Sequence, residues 1–169
     1  MASGALVGAP MGIGFPSTLS ATPTVLEGAS TPKENFSLFD FDDATDEYID
    51  IHGGLHGYDG GGITILLRYT AAAASGKVVW RAAFRRIADD ADDLDTTAHT
   101  YVYNTVNPTV AGTIGEVDFT TITFTNGADM DSLADGEEFV LRIGREATDT
   151  TNDTLTGDAR LKSFYITET

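Results

Sequence analysis

Residues 77–95, KVVWRAAFRRIADDADDLD, decide the fold because their first half fits two different structures. At helical spacing, Trp80 and Ile87 fall on one apolar stripe, as in an amphipathic helix. At a period of two, Val78 and Trp80 face one way and Arg81 faces the other, as in a half-buried strand. The acidic run that follows fits either a cation-binding loop or a solvated turn. The flanking sequence has to decide between these alternatives.

The rest of the chain favours strands, because short β-branched and aromatic segments alternate with turns rich in Asp, Gly and Asn. The candidate strands are Asn35–Phe41, Glu47–His52, Gly62–Thr70, Lys77–Ile87, His99–Val106, Glu116–Thr125, Glu138–Arg145 and Ala159–Thr167. We therefore predict an all-β protein, an antiparallel β-sandwich of about eight strands. Val78–Ile87 becomes a strand, with a tight turn before it at Ser75-Gly76 and a loop after it at residues 89–95. A change of phase at Thr120-Thr121 predicts a β-bulge.

Composition excludes several classes of protein. The chain has 169 residues and no cysteine, so disulfides, thiolate zinc sites and cysteine nucleophiles are absent. With 10 Lys and Arg against 26 Asp and Glu, its formal charge is −16. Such a field repels nucleic acid and anionic lipid, and no apolar stretch approaches the ~18 to 20 residues of a membrane helix. We predict neither nucleic acid nor membrane as a partner.

Residues 1–31 differ from the remainder, since they consist of small, apolar, Gly and Pro residues with Glu27 as the only charge. They lack the basic residues of a signal peptide, so we expect no secretion. Closely spaced prolines and glycines exclude a regular element, which leaves either a disordered tail or an extended N-terminal arm that lies on another subunit. The sequence thus divides into this arm and a β-sandwich domain at residues 32–169.

No candidate site carries a recognisable catalytic or metal-binding pattern. In the loop Asp89–Asp95 the spacing of an EF-hand fails, which leaves a non-EF calcium site or a solvated acidic turn. His52 and His56 are four apart, but Gly53 and Gly54 between them break the helix that a zinc protease needs. Trp80 and the tyrosines Tyr48, Tyr58, Tyr101 and Tyr103 fit either sugar stacking or a core. We predict no catalytic residue, no metal and no cofactor.

The segments YDGGGITILLRYTAAAASGKVVWRAAFRRIADDADDLD and ITFTNGADMDSLADGEEFVLRIGREATDTTNDTLTGDARLKSFYITET resemble virion proteins of tailed bacteriophages. The shared features are a Tyr-Asp-Gly turn into a strand, a V-x-W-x-x-x-F strand, a D-L-D loop and an acidic or threonine-rich loop before a last strand. The resemblance covers residues 34–169 and is a pattern of strands and loops. It implies a jelly-roll-like sandwich of the head decoration, or cement, group.

That resemblance also implies a function. We expect a non-enzymatic structural protein on the capsid surface of a virion, made in the host cytoplasm, which binds the head lattice and stabilises it. Its partners would be the major capsid protein and neighbouring copies of itself in a homotrimer. The alternative is a receptor- or glycan-binding module of a phage tail or head appendage. In the leading interpretation the arm makes the capsid and subunit contacts, through Leu6, Val7, Met11, Ile13, Phe15, Leu19, Val25 and Leu26.

Overall fold

The computed structural model describes residues 8–96 and 98–169, with side chains from residue 12 onward. This part of the chain forms ten strands and one 3-10 turn. None of its helical residues makes a segment long and apolar enough to cross a membrane. The strands are β1 (Gly8–Gly14), β2 (Thr22–Glu27), β3 (Asn35–Phe41), β4 (Glu47–Leu55), β5 (Ile63–Ala71), β6 (Trp80–Ile87), β7 (Asn104–Val106), β8 (Asp118–Phe124), β9 (Glu138–Arg145) and β10 (Ala159–Glu168); the 3-10 turn, η1, is Ala128–Met130.

The strands pair into two antiparallel sheets of five, which we call sheet A and sheet B. Sheet A has the order β2-β3-β10-β5-β8 and sheet B the order β1-β4-β9-β6-β7. Without β1 and β2, the remaining strands have the order of a jelly roll, in which the chain passes repeatedly between two four-stranded sheets. The predicted all-β sandwich is confirmed, and β1 and β2 add one strand to each sheet.

The ambiguous stretch at residues 77–95 resolves as a strand followed by a loop. Trp80 begins β6 and is fully buried, with its ring against Phe41 at 5.1 Å and Tyr69 at 5.4 Å between centroids. β6 lies between β9 and β7, and its successive residues Ala82 and Ala83, which point to opposite faces of the sheet, are both fully buried. This burial of both faces explains why the apolar residues do not alternate cleanly in the sequence.

Two expectations about local structure are wrong. Residues 8–14 and 22–27 form β1 and β2, although glycine and proline were expected to prevent regular structure there. Edge strands tolerate both residues, because only one side of each strand is hydrogen-bonded. The bulge predicted at Thr120-Thr121 is also absent, since β8 pairs with β5 in continuous register; bulges occur instead in β1 and β10.

Strands β1 and β2 are integrated into the sandwich. β1 pairs with β4 from Gly8 to Gly14, and β2 pairs with β3 along its whole length. Between them, Ala21 is 1% exposed and belongs to the core, and its N–H donates to the carbonyl of Tyr48. Because these contacts hold β1 and β2 in the sandwich, we expect deletion of residues 1–31 to lower the stability of the protein. The boundary at residue 31 between an arm that makes contacts and a folded body stays a prediction.

A buried ion pair fixes one end of the sandwich. Arg145, at the end of β9, is fully buried and donates five hydrogen bonds. Two go to the carboxylate of Asp153, at 2.9 and 2.8 Å, and three to backbone carbonyls of Phe41, Leu155 and Gly157. The threonine-rich loop that carries Asp153 is therefore drawn into the interior, where Asp153 is 7% exposed.

Candidate functional site

The predicted contact residues of the N-terminal segment remain accessible where their side chains are described. Ile13, Phe15, Leu19 and Val25 are 42%, 46%, 52% and 62% exposed, and Leu26 is half-buried. Leu6 and Val7 lie outside the described residues, and so does the side chain of Met11. Nearly half or more of each of these four apolar side chains therefore faces solvent.

These side chains lie on or between β1 and β2, which are edge strands of the two sheets. Ile13 pairs with the buried Ile51, yet it stays exposed because no described strand lies beyond β1. The ring of Phe15 contacts that of Phe39 on β3, at 5.8 Å between centroids, and so connects the margins of the two sheets. Next to Phe39, Val25 and Pro23 line a shallow groove of about 330 Å³. We call this region, with Ile13, Phe15, Leu19, Val25 and Phe39, the β1–β2 edge.

Leu19 has an unusual backbone at this edge. Its φ of 58° lies in the left-handed region, which costs a side chain with a Cβ about 1–2 kcal/mol. Its carbonyl accepts a hydrogen bond from the N–H of Tyr48, at 2.8 Å, which holds the segment against β4. The strained backbone of Leu19 lowers the stability of the protein, and its exposed side chain returns little by burial, so stability alone does not explain a leucine here.

The outer face of sheet B carries alternating aromatic rings and guanidinium groups. Arg81 lies 4.8 Å from the ring centroids of both Tyr48 and Tyr103. Arg142 lies 5.3 Å from that of Tyr48 and 4.3 Å from that of Tyr101. We call these five residues the Tyr–Arg ladder. They come from β4, β6, β9 and the segment before β7, which the sheet order brings together.

Every charge in the ladder is neutralised within the protein. Arg142 donates two hydrogen bonds of 2.7 Å to the carboxylate of Asp50, and these bonds raise the pKa of the arginine. Arg81 pairs with Asp46 at 2.7 Å and Glu146 at 3.0 Å. Burial raises the pKa of Tyr48 to about 12, so its hydroxyl stays protonated. The charges of the ladder are thus paired within the protein, although the buried Nε–H of Arg81 has no hydrogen-bond partner among the described residues.

A groove of about 270 Å³ lies beside the ladder. Among its lining residues are Asp50, His52, Tyr101 and Arg142. His52 lies within β4 rather than in a loop and is exposed, as is His56 after the strand. The two histidines thus lie on an exposed strand and a turn, and no described group of three possible metal ligands includes either.

The described carboxylates that come together are those of Asp42, Asp43 and Asp158, rather than those of the loop at residues 89–95. One oxygen from each lies within 4.8 Å of the others. Burial and the neighbouring carboxylates raise the pKa of Asp158, whereas the N–H of Ala44 holds the pKa of Asp42 below its usual value. Exposed acidic clusters of this kind are common without an ion, so this geometry alone assigns no metal to the cluster.

Two of the aromatic residues that fit either sugar stacking or a core, Trp80 and Tyr58, are buried. Trp80 is fully buried, and Tyr58 is 7% exposed, with its backbone N–H bonded to Asp135 at 2.9 Å. Phe119 lies in the candidate strand Glu116–Thr125 and is 58% exposed, because it points to the outer face of sheet A, whereas Ile122 and Phe124 of β8 point into the core. The sequence of this strand offers apolar residues on both faces and does not show which face is buried.

Comparisons with known proteins add little to these observations. No family model matches the chain, and no curated protein matches it. Among solved structures, it is similar to TmCBM61, determined in complex with β-1,4-galactotriose. That similarity covers 93% of this chain and 87% of the other, with 9% identity and a TM-score of 0.36. At such a TM-score, no property of that module is assigned to this chain.

Proposed function

We propose that this protein is a non-enzymatic virion component, a capsid decoration protein that attaches to the head lattice through the β1–β2 edge. The observation that carries the proposal is the exposure of Ile13, Phe15, Leu19 and Val25, at 42–62%, on and between the edge strands β1 and β2. The resemblance of residues 34–169 to tailed-phage virion proteins supplies the partner, the major capsid protein.

The energetics fit attachment to a large protein surface. Complete burial of an aliphatic or aromatic side chain is worth about 1.5–3 kcal/mol, so the exposed halves of four such residues supply about 3–6 kcal/mol. Part of that is offset by the cost of association, so a single copy binds weakly. Three copies in a homotrimer bind one lattice site together and gain avidity.

The charge distribution has a consequence for this attachment. None of the four exposed side chains is charged, and Glu27 is paired with Lys33 at 3.0 Å. Contacts between apolar groups are not screened by salt, whereas contacts of the acidic body are. We therefore expect attachment that changes little with ionic strength, and a body that faces solvent and keeps the particle soluble.

Cosedimentation with purified capsids of the virus that encodes this chain tests the proposal. The double variant Phe15→Ser, Val25→Ser should lose occupancy while its circular dichroism spectrum is unchanged, because neither side chain belongs to the buried core and Phe15 loses only its ring contact with Phe39. Leu94→Ser is the matched control, since Leu94 is 68% exposed in the loop after β6. Failure of the native protein to sediment, or full occupancy of the double variant, would overturn the proposal. Light scattering should give the mass of a trimer.

The alternative of glycan recognition through Trp80 or Tyr58 is not proposed, because both side chains are buried. Trp80→Ala should instead act on stability, at a cost of about 3–5 kcal/mol.

A further inference from the structure

The outer face of sheet A carries exposed aromatic rings on either side of a guanidinium group. Arg68, on β5, lies directly opposite Phe119 on β8, and its Cζ is 5.4 Å from the Phe119 ring centroid. The ring of Tyr165, on β10, lies on its other side at 4.7 Å. Phe119 is 58% and Tyr165 44% exposed. Two large rings thus remain open to solvent on the face of a sheet.

The same arrangement continues toward β3. The Nζ of Lys162 lies 5.3 Å from the ring centroid of Phe36, which is 36% exposed. Lys162 occupies the bulge of β10, between Leu161, which is buried, and Ser163, which is half-buried, and is itself exposed. We call Phe36, Lys162, Tyr165, Arg68 and Phe119 the aromatic row. It crosses sheet A from β3 to β8.

The cations of this row lack the carboxylate partners that the other cations have. Among the described residues, most lysines and arginines lie within 4.0 Å of a carboxylate oxygen; they are Lys33, Arg81, Arg85, Arg86, Arg142, Arg145 and Arg160. Arg68, Lys162 and Lys77 form no such pair with a described residue. Carboxylates outnumber cations 26 to 10, so an unpaired cation is unexpected. Two of the three occur together in the aromatic row.

We propose that the aromatic row binds a carbohydrate whose sugar rings bear carboxylates. The C–H faces of a pyranose pack on exposed aromatic rings, and a guanidinium donates two parallel N–H groups to a carboxylate. The outer nitrogens of Arg68 remain available to a ligand, because the guanidinium pairs with no described carboxylate and its Nη1 makes only a long contact of 3.4 Å, to the hydroxyl of Tyr165. Its Nε–H also lacks a partner but is buried, so it does not reach a ligand. Lys162 supplies a second positive charge for the next acidic sugar.

The charge of the whole chain narrows the class of ligand. The net charge of −16 repels a polymer as densely charged as nucleic acid, whose backbone carries one phosphate per nucleotide. A neutral sugar would leave Arg68 and Lys162 unpaired in the complex. A glycan with separated carboxylates satisfies both conditions. The site lies on β3, β5, β8 and β10, so it does not depend on attachment through the β1–β2 edge, and either proposal can fail alone.

Titration of the full-length protein with three acidic oligosaccharides, followed by NMR, tests the inference. The probes are trigalacturonate, a hyaluronan tetrasaccharide and sialyllactose. At least one should bind with a Kd of about 1 mM or tighter. Its shifts should centre on Arg68, Phe119 and Tyr165. Its methyl-esterified form should bind about tenfold more weakly, because the charge-assisted contact is lost.

Matched variants separate this site from general electrostatics. Arg68→Gln and, independently, the exposed Lys162→Gln should each weaken binding by about tenfold. Lys77→Gln removes the same charge outside the row and should change Kd by less than about twofold. The inference is overturned if none of the three probes binds, if shifts centre on another surface, or if the esters bind equally well. Tighter binding of a single-stranded DNA oligomer would also overturn it.

Discussion

Replacement of Asp153 with asparagine should strongly destabilise the sandwich, because it leaves the guanidinium of Arg145 charged and buried. The carboxylate accepts two hydrogen bonds from Arg145 and one, at 2.9 Å, from the N–H of Val79. Asparagine retains one acceptor oxygen, but its amide N–H groups would face the N–H groups of Arg145. The Arg145 side chain is 0% exposed, so water cannot replace the lost acceptor. Loss of one partner from a buried ion pair costs about 3–5 kcal/mol. Out of a total of about 5–15 kcal/mol, that is a large fraction of the stability.

The measurement is urea-induced unfolding followed by fluorescence of Trp80, the single tryptophan, which is fully buried. The expected change corresponds to a fall in Tm of about 6–20 °C for a chain of this size. Asp89→Asn is the matched control, since it removes one carboxylate at an exposed position. Adding Arg145→Met should recover part of the loss, because no charge then remains buried. If Asp153→Asn costs no more than the control, the buried pair does not hold this end of the sandwich.

Three further predictions concern other positions. Asp158→Asn should raise the free energy of unfolding at pH 7, because the pKa of Asp158 is raised in the fold and its ionised form is therefore unfavourable there. The gain should vanish as the pH falls below 3.8, where the carboxyl is protonated in both the folded and the unfolded chain. An equal gain at pH 7 and below pH 3.8 would show that ionisation of Asp158 is not the reason. Leu19→Asn should stabilise by about 0.5–1 kcal/mol in thermal unfolding, since asparagine tolerates positive φ, and destabilisation would show that the leucine side chain packs. Gly144→Ala would place a Cβ 2.5 Å from the ring of Tyr48, so we expect a cost of about 1–3 kcal/mol and a changed near-UV spectrum, whereas Gly112→Ala meets nothing within 4 Å and should be neutral.

The sequence predicted the strands of the body well, because their apolar residues and turns are local signals. Asn35–Phe41 and Glu138–Arg145 match β3 and β9 in both bounds, and each of the other candidates overlaps a strand. The same local signals misled at β1 and β2. Glycine and proline are unfavourable in an isolated strand, but the partner strands β4 and β3 decide the outcome at the edge of a sheet.

The candidate sites were harder to predict, because they depend on which strands are neighbours. Arg145 illustrates what the sequence of one strand can predict. It lies two residues after Ile143 in the alternating series Phe139, Leu141, Ile143, whose side chains point into the core. That phase indicates a buried arginine, but not that Asp153 is its partner. Likewise, Arg68 and Phe119 are far apart in sequence, and only the pairing of β5 with β8 places them side by side.

The position of β10 in sheet A has a consequence for the order of events during synthesis. β10 contains residues 159–168 and is inserted between β3 and β5, so that Asp40 pairs with Arg160 across 120 residues of chain. Sheet A therefore cannot close while β10 is still inside the ribosome. Until then the pairing edges of β3 and β5 are open to other chains, and such long-range pairing is slow. The large negative charge, which makes nascent copies repel one another, would protect this intermediate from aggregation.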